Sequence, residues 1–369
     1  MRATVSVCAA SAGELSAAKS RLENATSSQQ VATADPITFL FPDSLLALPP
    51  LAPSSDFPLA SASCGTGSFD SGAYFAHLTS ERLGRVVLQA EELPSTQTLL
   101  LDWSQRLSDG AVCVADRQGS GRGRGSNQWT SPPGCLMFSA MLTLDLPGTR
   151  VPFVQYLVSL AIVEAVQSLG KEALGGGGNE APASALDLRI KWPNDLLSNG
   201  LKVGGVLCQS TYRQGQFRLV LGVGLNVSNA EPTTCVHAIV RQEAEKRQVA
   251  LADPAEPISR ERLMAEILSR VERMLRTLRD QGWGPMAPAY SRAWLHQNQR
   301  LLVQRDALEG SAPHGGQAEI PVVVQGLSEA GYLLARDEAT GEAFELHPDG
   351  NSLDFFQGLV RRKVHGATS

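Results

Sequence analysis

The central part of the chain alternates short apolar runs with longer helical patterns. Residues 96–107 read as a helix, and residues 153–169 form a second helix that is apolar nearly all round, which is typical of a buried helix. A third helix, over 259–280, carries apolar residues on one side and charged residues on the other, as a helix that covers a sheet does. Strand-like runs stand at 85–89, 111–115, 136–144, 186–192, 203–210 and 217–225. We therefore predict an α+β domain over residues 81–295.

A different texture follows this domain. Short strands and turns succeed one another in the last part of the chain, and their spacing predicts a small β-barrel over residues 296–366. These strands stand at 300–304, 320–325, 331–335 and 343–346.

The first part of the chain lacks a sustained period of either kind. Residues 1–80 are rich in Ser, Ala, Thr and Pro, and we predict a weakly ordered extension. Near its start, Arg2, Lys19 and Arg21 face the single acid Glu14, a composition compatible with an organelle transit peptide. An ordinary disordered tail explains the same composition equally well.

Composition narrows the class of protein. The 369 residues are 43% hydrophobic, enough for a sizeable core and for two or three domains. The net charge of -5 argues against a protein that coats nucleic acid. Six cysteines without a C-x-x-C pair are typical of reduced thiols, so we expect a cytoplasmic, plastid or mitochondrial-matrix protein that is not secreted. No apolar run approaches the ~18 residues of a membrane span, and we expect no membrane association.

Residues 118–129 carry the clearest chemistry, with the sequence QGSGRGRGSNQW. Glycine lets a backbone approach an anion closely, and Arg122 and Arg124 add permanent charge with fixed donor forks. The run predicts a cradle for phosphate or carboxylate. Taken by itself, it is equally typical of a flexible RG-type RNA-binding segment.

Three further segments accompany this loop. Ser95 and Thr96 precede a helix and can cap it, while the free N–H groups of a helix start can also meet a polar ligand. Residues 191–195, KWPND, predict a strand that enters a turn, and Lys202 follows Asp195 by seven positions. Asn226 ends the segment GVGLN, and by itself its position at a strand end after Gly222 and Gly224 favours a simple turn residue.

Together the four segments resemble the biotin protein ligases, and residues 345–363 are most similar to the holocarboxylase synthetases of plants and green algae. The resemblance runs from about Gly84 to the C-terminus. It implies a mixed β-sheet with helices, as in class II aminoacyl-tRNA synthetases and biotin protein ligases, followed by an SH3-like barrel. Lipoyl or octanoyl ligases and transferases share this fold, but they lack the GRGR loop and the KWPND segment in this form.

The resemblance also implies a reaction in two steps. Biotin and MgATP give biotinoyl-5′-AMP, and a lysine of a biotin carboxyl carrier domain then attacks this mixed anhydride. The catalytic residues implied are Arg122, Arg124, Lys202 and Asp195. Those implied to bind biotin are Ser95, Thr96, Gln97, Gln118, Gly121, Arg122, Gly123, Arg124, Lys202 and Gly205.

For ATP, the resemblance implies contacts from Trp129, Asn194, Asp195, Lys202 and Asn226. Trp129 is then expected near the adenine, although a core tryptophan is the plain alternative. Mg²⁺ is expected mainly on the ATP phosphates, with Asp195 as a further ligand. Asp195 can also orient Lys202 or receive the proton of the acceptor lysine, and the sequence leaves these roles open.

Expectations about partners follow from the same resemblance. Carrier domains of biotin-dependent carboxylases are the implied protein substrates. Bacterial relatives that repress transcription carry an N-terminal winged helix, whose helix pattern and basic face residues 1–80 do not show, so we expect no DNA binding. We expect a monomer or a weak homodimer.

Overall fold

The computed structural model describes residues 3–27, 37–40, 68–175, 185–229, 231–304, 319–348, 351–354 and 359–362. A nine-stranded mixed sheet forms the centre of the first 295 residues, in the order β2-β1-β3-β4-β7-β11-β10-β9-β8. A separate two-stranded hairpin, β5-β6, lies outside it. The strands are β1 Ala3–Ala9, β2 Ile37–Leu40, β3 Val86–Leu93, β4 Val112–Gln118, β5 Gly121–Arg122, β6 Gln128–Trp129, β7 Cys135–Leu144, β8 Arg189–Lys191, β9 Asp195–Ser198, β10 Leu201–Arg213 and β11 Gln216–Asn226.

Helices cover both faces of this sheet. The helices are α1 Ala12–Ser27, α2 Ser71–His77, α3 Thr96–Trp103, α4 Pro152–Ala173, α5 Val236–Arg247, α6 Arg260–Gln281 and α7 Ala287–Ala293. Apolar side chains of α4 and α6 belong to one core, and those of α1 and α3 belong to a second core on the opposite face. The predicted helix starts at Ser95 and Ser259 are confirmed, because each side chain accepts an N–H of its helix.

Helix α4 is predicted correctly as a core helix. Together with the preceding turn, residues 148–173 are long and apolar enough to cross a bilayer by length and composition, but 78% of the apolar window is buried inside the fold. Its apolar residues therefore face the sheet and α6 rather than an outside phase.

The prediction of a weakly ordered extension is wrong for residues 3–27, and also for residues 68–80, where α2 forms and Tyr74 is fully buried. Strand β1 pairs antiparallel with β3, and α1 follows it along the chain. Val5, Val7, Leu15 and Leu22 are buried in the core that β1 and α1 share with α3. The signal in the sequence was the alternation of Val5 and Val7 with polar residues, which is too short to stand out in a Ser- and Ala-rich context. A transit peptide remains a prediction.

The C-terminal part forms its own six-stranded sheet, which we call the C-terminal sheet. Its strands are β12 Arg300–Gln304, β13 Glu319–Leu327, β14 Leu333–Asp337, β15 Ala343–Leu346, β16 Asn351–Asp354 and β17 Leu359–Arg362, in the order β15-β14-β13-β12-β17-β16. Val303, Val322 and Val324 are fully buried within it. The predicted short strands are thus confirmed, with β16 and β17 in addition.

Candidate active site

A cleft of about 360 Å³ opens over the sheet face that α3 covers. It gathers residues that lie far apart in the sequence, from the start of α3, the β5-β6 hairpin, the KWPND turn and the glycines of β10 and β11. The sequence-predicted residues in its wall are Ser95, Thr96, Gln97, Gln118, Arg122, Gly123, Arg124, Trp129, Asn194, Asp195, Lys202 and Gly205. Gly121 and Asn226 do not belong to the wall.

The start of α3 presents a buried polar cluster to the cleft. Ser95 caps the helix, its Oγ accepting the N–H of Thr98 at 3.4 Å. The N–H of Thr96 donates to Oε1 of Gln118 at 2.8 Å, and the hydroxyl groups of Thr96 and Ser139 are 2.9 Å apart. Capping and ligand binding are therefore compatible here, because the Thr96 and Gln118 side chains still line the open cleft.

Gln97 continues this cluster toward the middle of the sheet. Its amide N–H group donates to the carbonyl of Val220 at 3.0 Å and to Oε1 of Gln209 at 3.2 Å, and its own Oε1 accepts from Ser139 at 3.2 Å. A Cβ at Gly222 would lie 2.6 Å from Gln97 Oε1, so only glycine leaves room for the amide. The floor of the cleft is thus fixed by hydrogen bonds before any ligand binds.

The glycine and arginine run forms a hairpin rather than a flexible tether. Gly121 pairs with Trp129 and Arg122 with Gln128, and the N–H of Gly123 donates to the carbonyl of Asn127 at 2.8 Å. A Cβ at Gly121 would lie 2.5 Å from the Trp129 carbonyl, which explains this glycine by the close strand pairing. The hairpin places Arg122 and Arg124 in the wall of the cleft.

Trp129 packs its ring against the backbone of β11. A Cβ at Gly224 would lie 2.7 Å from Cε2 of the indole, so the glycine makes this contact possible. The indole Nε1 is buried without a hydrogen-bond partner among the described residues. The Nζ of Lys202 lies 5.8 Å from the centre of the ring, within cation–π range.

Lys202 and Asp195 form an ion pair in the lining of the cleft, with Nζ 2.6 Å from Oδ1. The register of β9 against β10 shifts between Lys202 and Gly204, and Gly205 then stands opposite Asp195. A Cβ at Gly205 would lie 3.4 Å from Asp195 Oδ1. The side chains are 43% and 26% exposed respectively, so the pair remains open to a ligand.

Two asparagines use their amides on the protein itself. Asn194 Nδ2 donates to the carbonyl of Val206 at 3.0 Å, which ties the KWPND turn to β10. Asn226 is 3% exposed, and its Nδ2 donates to Thr233 Oγ1 at 3.2 Å and to the Thr234 carbonyl at 3.1 Å. These bonds and the absence of Asn226 from the cleft lining support its structural role as a turn residue and contradict the expected direct contact with the nucleotide.

Several cleft residues were not predicted. Ser139 is fully buried and connects Thr96 to Gln97. A signal existed, because Ser139 is the one polar residue in the apolar run 135–142. Pro348 reaches the cleft from the C-terminal sheet, which no local pattern could reveal.

Comparison with known proteins agrees with this arrangement. The model of the Biotin/lipoate A/B protein ligase family matches residues 90–226, the part that carries most of the cleft. The chain is 40% identical over 298 residues to biotin–protein ligase 1, chloroplastic, of Arabidopsis thaliana, covering 80% of this chain and 74% of that protein. Biotin–protein ligase 2 of the same plant is 39% identical over 298 residues, with 80% and 83% covered.

The chain belongs to the biotin–protein ligase family. Among solved structures, an arginine-to-glycine mutant of the biotin protein ligase from Aquifex aeolicus in complex with biotin matches this ligase with a TM-score of 0.50 and 22% identity, covering 70% of this chain and 95% of that one. This likeness shows the fold, and the predicted synthetase-like domain followed by a small β domain is confirmed.

Among the described residues, no cysteine belongs to the lining of the cleft. Cys135 is fully buried, and burial raises the pKa of its thiol to about 12. Burial also raises the pKa of Cys113 well above the usual value. Both thiols are therefore protonated at neutral pH, and a protonated thiol is a poor nucleophile.

Proposed function

We propose that this chain activates biotin with ATP to biotinoyl-5′-AMP and transfers the biotinoyl group to a lysine of a carboxyl carrier domain. Membership of the biotin–protein ligase family supports the reaction class. The observation that carries the proposal is the single cleft in which the Lys202–Asp195 pair, the arginine hairpin and the polar start of α3 meet.

The polar cluster at α3 suits the head group of biotin. The ureido ring of biotin offers two N–H donors and one carbonyl acceptor, and it carries no charge. Thr96, Gln118 and Ser139 supply both donors and acceptors on groups already held in place. Such a fixed cluster binds a neutral polar ring with little loss of side-chain entropy.

Activation requires a carboxylate to approach the α-phosphate against charge repulsion. Lys202, Arg122 and Arg124 bring three cationic side chains to one wall of the cleft. Preorganised cations in the cleft stabilise the charge that develops as the carboxylate oxygen attacks phosphorus and pyrophosphate leaves. We assign Lys202 to the carboxylate and the α-phosphate together, and the ring of Trp129 to the adenine.

Asp195 fits a role beside Mg²⁺. Among the described residues no three His, Cys, Asp or Glu side chains group closely enough to hold a metal ion. Mg²⁺ is commonly held by one or two carboxylates, several waters and the substrate phosphates, and Asp195 can supply such a carboxylate. When bound, the cation would neutralise phosphate charge, while Lys202 keeps the Asp195 carboxylate oriented at 2.6 Å.

Transfer requires a neutral amine, because a free lysine has a pKa of about 10.4 and its ammonium form does not attack. Asp195 lies in the same wall as Lys202, where it can accept the proton that the acceptor amine loses as the amide bond forms and AMP leaves. The β5-β6 hairpin carries Arg122 and Arg124, and closed over the adenylate it would keep water from the activated acyl group.

The carrier domains of biotin-dependent carboxylases are the acceptors we propose. We also propose that a plastid is one location of this ligase, since one plant relative is named chloroplastic.

The test uses the full chain with MgATP, an apo carrier domain, and either biotin, octanoate or lipoate. We expect transfer with biotin only, and none to a carrier whose acceptor lysine is replaced by arginine. Equal or faster transfer of octanoate would overturn the substrate assignment. Biotin transfer without AMP formation would overturn the adenylate.

A further inference from the structure

A buried tyrosine joins the C-terminal sheet to the cleft. The hydroxyl of Tyr156, on α4, donates to the carbonyl of Gly331 at 2.6 Å. The same oxygen accepts the indole N–H of Trp192 at 3.0 Å. Gly331 belongs to the turn between β13 and β14, and Trp192 lies in the wall of the cleft. The Tyr156 hydroxyl therefore bridges Gly331 and Trp192, which lie far apart in the sequence.

The turn that contains Gly331 also contacts the segment after β15 that contains Pro348. Tyr332, next to Gly331, stacks on His347 with ring centres 3.6 Å apart. His347 directly precedes Pro348, which lines the cleft. The stacked rings therefore connect the Gly331 turn to the segment that carries Pro348.

The turn at Gly331 packs closely against α4. Gly331 has φ +83, a conformation that favours glycine, and a Cβ there would lie 3.2 Å from Pro152 Cβ and 3.4 Å from Tyr156 Cε2. Tyr156 is 4% exposed, so removal of its hydroxyl would leave the Trp192 N–H and the Gly331 carbonyl without their partner.

Tyr156 is linked through Trp192 to the cleft that Arg124 also lines. Burial raises the pKa of the Tyr156 phenol to about 12, while the hydrogen bond from Trp192 and the positive charge of Arg124 act in the opposite direction. Arg124 and Trp192 line the same cleft. The Tyr156 side chain thus stands behind the wall on which the proposed adenylate would rest.

We propose that Tyr156 is a positioning residue. Through its hydroxyl, the position of the C-terminal sheet determines the positions of Trp192 and Arg124 in the lining of the cleft. Tyr156 contacts no reacting atom. The expected effect of Tyr156 on retention of the adenylate rests on the function proposed above. The expected effect of Tyr156 on the structure of the cleft lining does not.

The chain contains a matched control. Tyr290 belongs to the same aromatic cluster, with its ring centre 5.6 Å from that of Tyr156, and it is 1% exposed. Its hydroxyl has no hydrogen-bond partner among the described residues. Tyr156→Phe and Tyr290→Phe therefore remove the same atom from similar surroundings, but only the first breaks the bridge.

The first measurement needs no substrate. Trypsin cleavage after Arg122 and Arg124 is timed by mass spectrometry on the full-length variants, with circular dichroism as a check of folding. We expect Tyr156→Phe to speed cleavage at these sites by about fivefold, the change that one buried hydrogen bond produces. Tyr290→Phe should match the parent protein. Equal cleavage in both variants would overturn the proposal.

The second measurement follows release of biotinoyl-AMP from the Tyr156→Phe, Arg124→Ala and double variants. If the hydroxyl acts through the wall, the double variant should leak no faster than Arg124→Ala alone. Additive leakage would show an independent structural effect and overturn the proposal. Absence of any adenylate from the parent protein would overturn the proposed function, while the trypsin result still decides on Tyr156.

A third variant tests the bridge from the other side and serves if Tyr156→Phe does not fold. Gly331→Ala should displace the turn that carries the accepting carbonyl and reproduce faster cleavage at Arg122 and Arg124. Gly326→Ala, at a position with no atom within 4 Å of the added Cβ, is its control. Unchanged cleavage in Gly331→Ala would count against the bridge.

Discussion

Nζ of Lys202 lies 2.6 Å from Oδ1 of Asp195. The two residues are seven positions apart in the sequence, and the antiparallel pairing of β9 with β10 brings them together. The register of β9 against β10 is irregular at this point, between Lys202 and Gly204. The pair is partly exposed, so its stabilisation of the fold is small and its value lies in the charges that it presents to the cleft.

Replacement of Lys202 tests the activation step. We expect Lys202→Met to slow biotinoyl-AMP formation roughly a hundredfold or more, about 3 kcal/mol, as loss of one preorganised charge-stabilising donor does. Pyrophosphate release in a single turnover measures it. Lys246→Met, on the exposed side of α5, should leave the rate unchanged. Normal activation by Lys202→Met would contradict the assigned role.

The hairpin arginines are expected to act on retention. Arg122→Ala and Arg124→Ala should each release biotinoyl-AMP about tenfold faster and weaken biotin binding, because a charge-assisted hydrogen bond contributes about 1.5–3 kcal/mol. Filtration of enzyme loaded with labelled adenylate measures the release. Arg117→Ala is the control, since Arg117 pairs with Glu91 at the surface. Unchanged retention in both hairpin variants contradicts our account of the loop.

Asp195 should matter most in transfer. In Asp195→Asn, attack by the carrier lysine on preloaded adenylate should slow roughly a hundredfold at neutral pH, as loss of a general base does. The rate should recover partly as the pH rises, because more of the acceptor amine is then neutral without help. Transfer from preloaded adenylate across pH measures this. A variant that retains the pH profile of the parent protein would leave Asp195 with an orienting role only.

Substitutions at two glycines of β11 should affect the binding of biotin and of ATP separately. Gly222→Ala crowds Gln97 at 2.6 Å, whereas Gly224→Ala crowds the Trp129 ring at 2.7 Å. We expect the first to raise the KM for biotin and the second the KM for ATP, each roughly tenfold, as overpacking of 1–3 kcal/mol does. Steady-state kinetics with each substrate varied decides. If both variants affect the same substrate, the division of the cleft is wrong.

His296 should make stability depend on pH. It is fully buried, burial lowers its pKa to about 4, and its Nε2 accepts the Trp192 backbone N–H at 2.9 Å. Because the unfolded chain has a higher pKa of about 6.5, the stabilisation is complete above pH 6.5 and is lost as the pH falls toward 4, by up to about 3 kcal/mol. Urea denaturation from pH 7 to pH 4 should show a shallower loss for His296→Gln than for the parent protein. His77→Gln, at an exposed site, should not change the slope.

The sequence by itself determined the local elements and the polar groups of the cleft. The apolar periods of α4 and α6 predicted buried helices, because burial of an apolar face is encoded within one segment. Ser95 and Ser259 indicated where two helices begin, because a capping side chain binds a backbone N–H within three residues of its own position. Gly222 and Gly224 were visible as glycines in a strand, but their partners Gln97 and Trp129 were not.

Only the tertiary structure decided what these groups contact. It turned the glycine and arginine run into a hairpin, directed the Asn226 amide to Thr233 and Thr234 instead of the cleft, and joined β1 to the central sheet. It also placed Tyr156 between Gly331 and Trp192. Each of these contacts joins segments that are brought together only when the sheets and helices pack, so no local pattern of residues carries them.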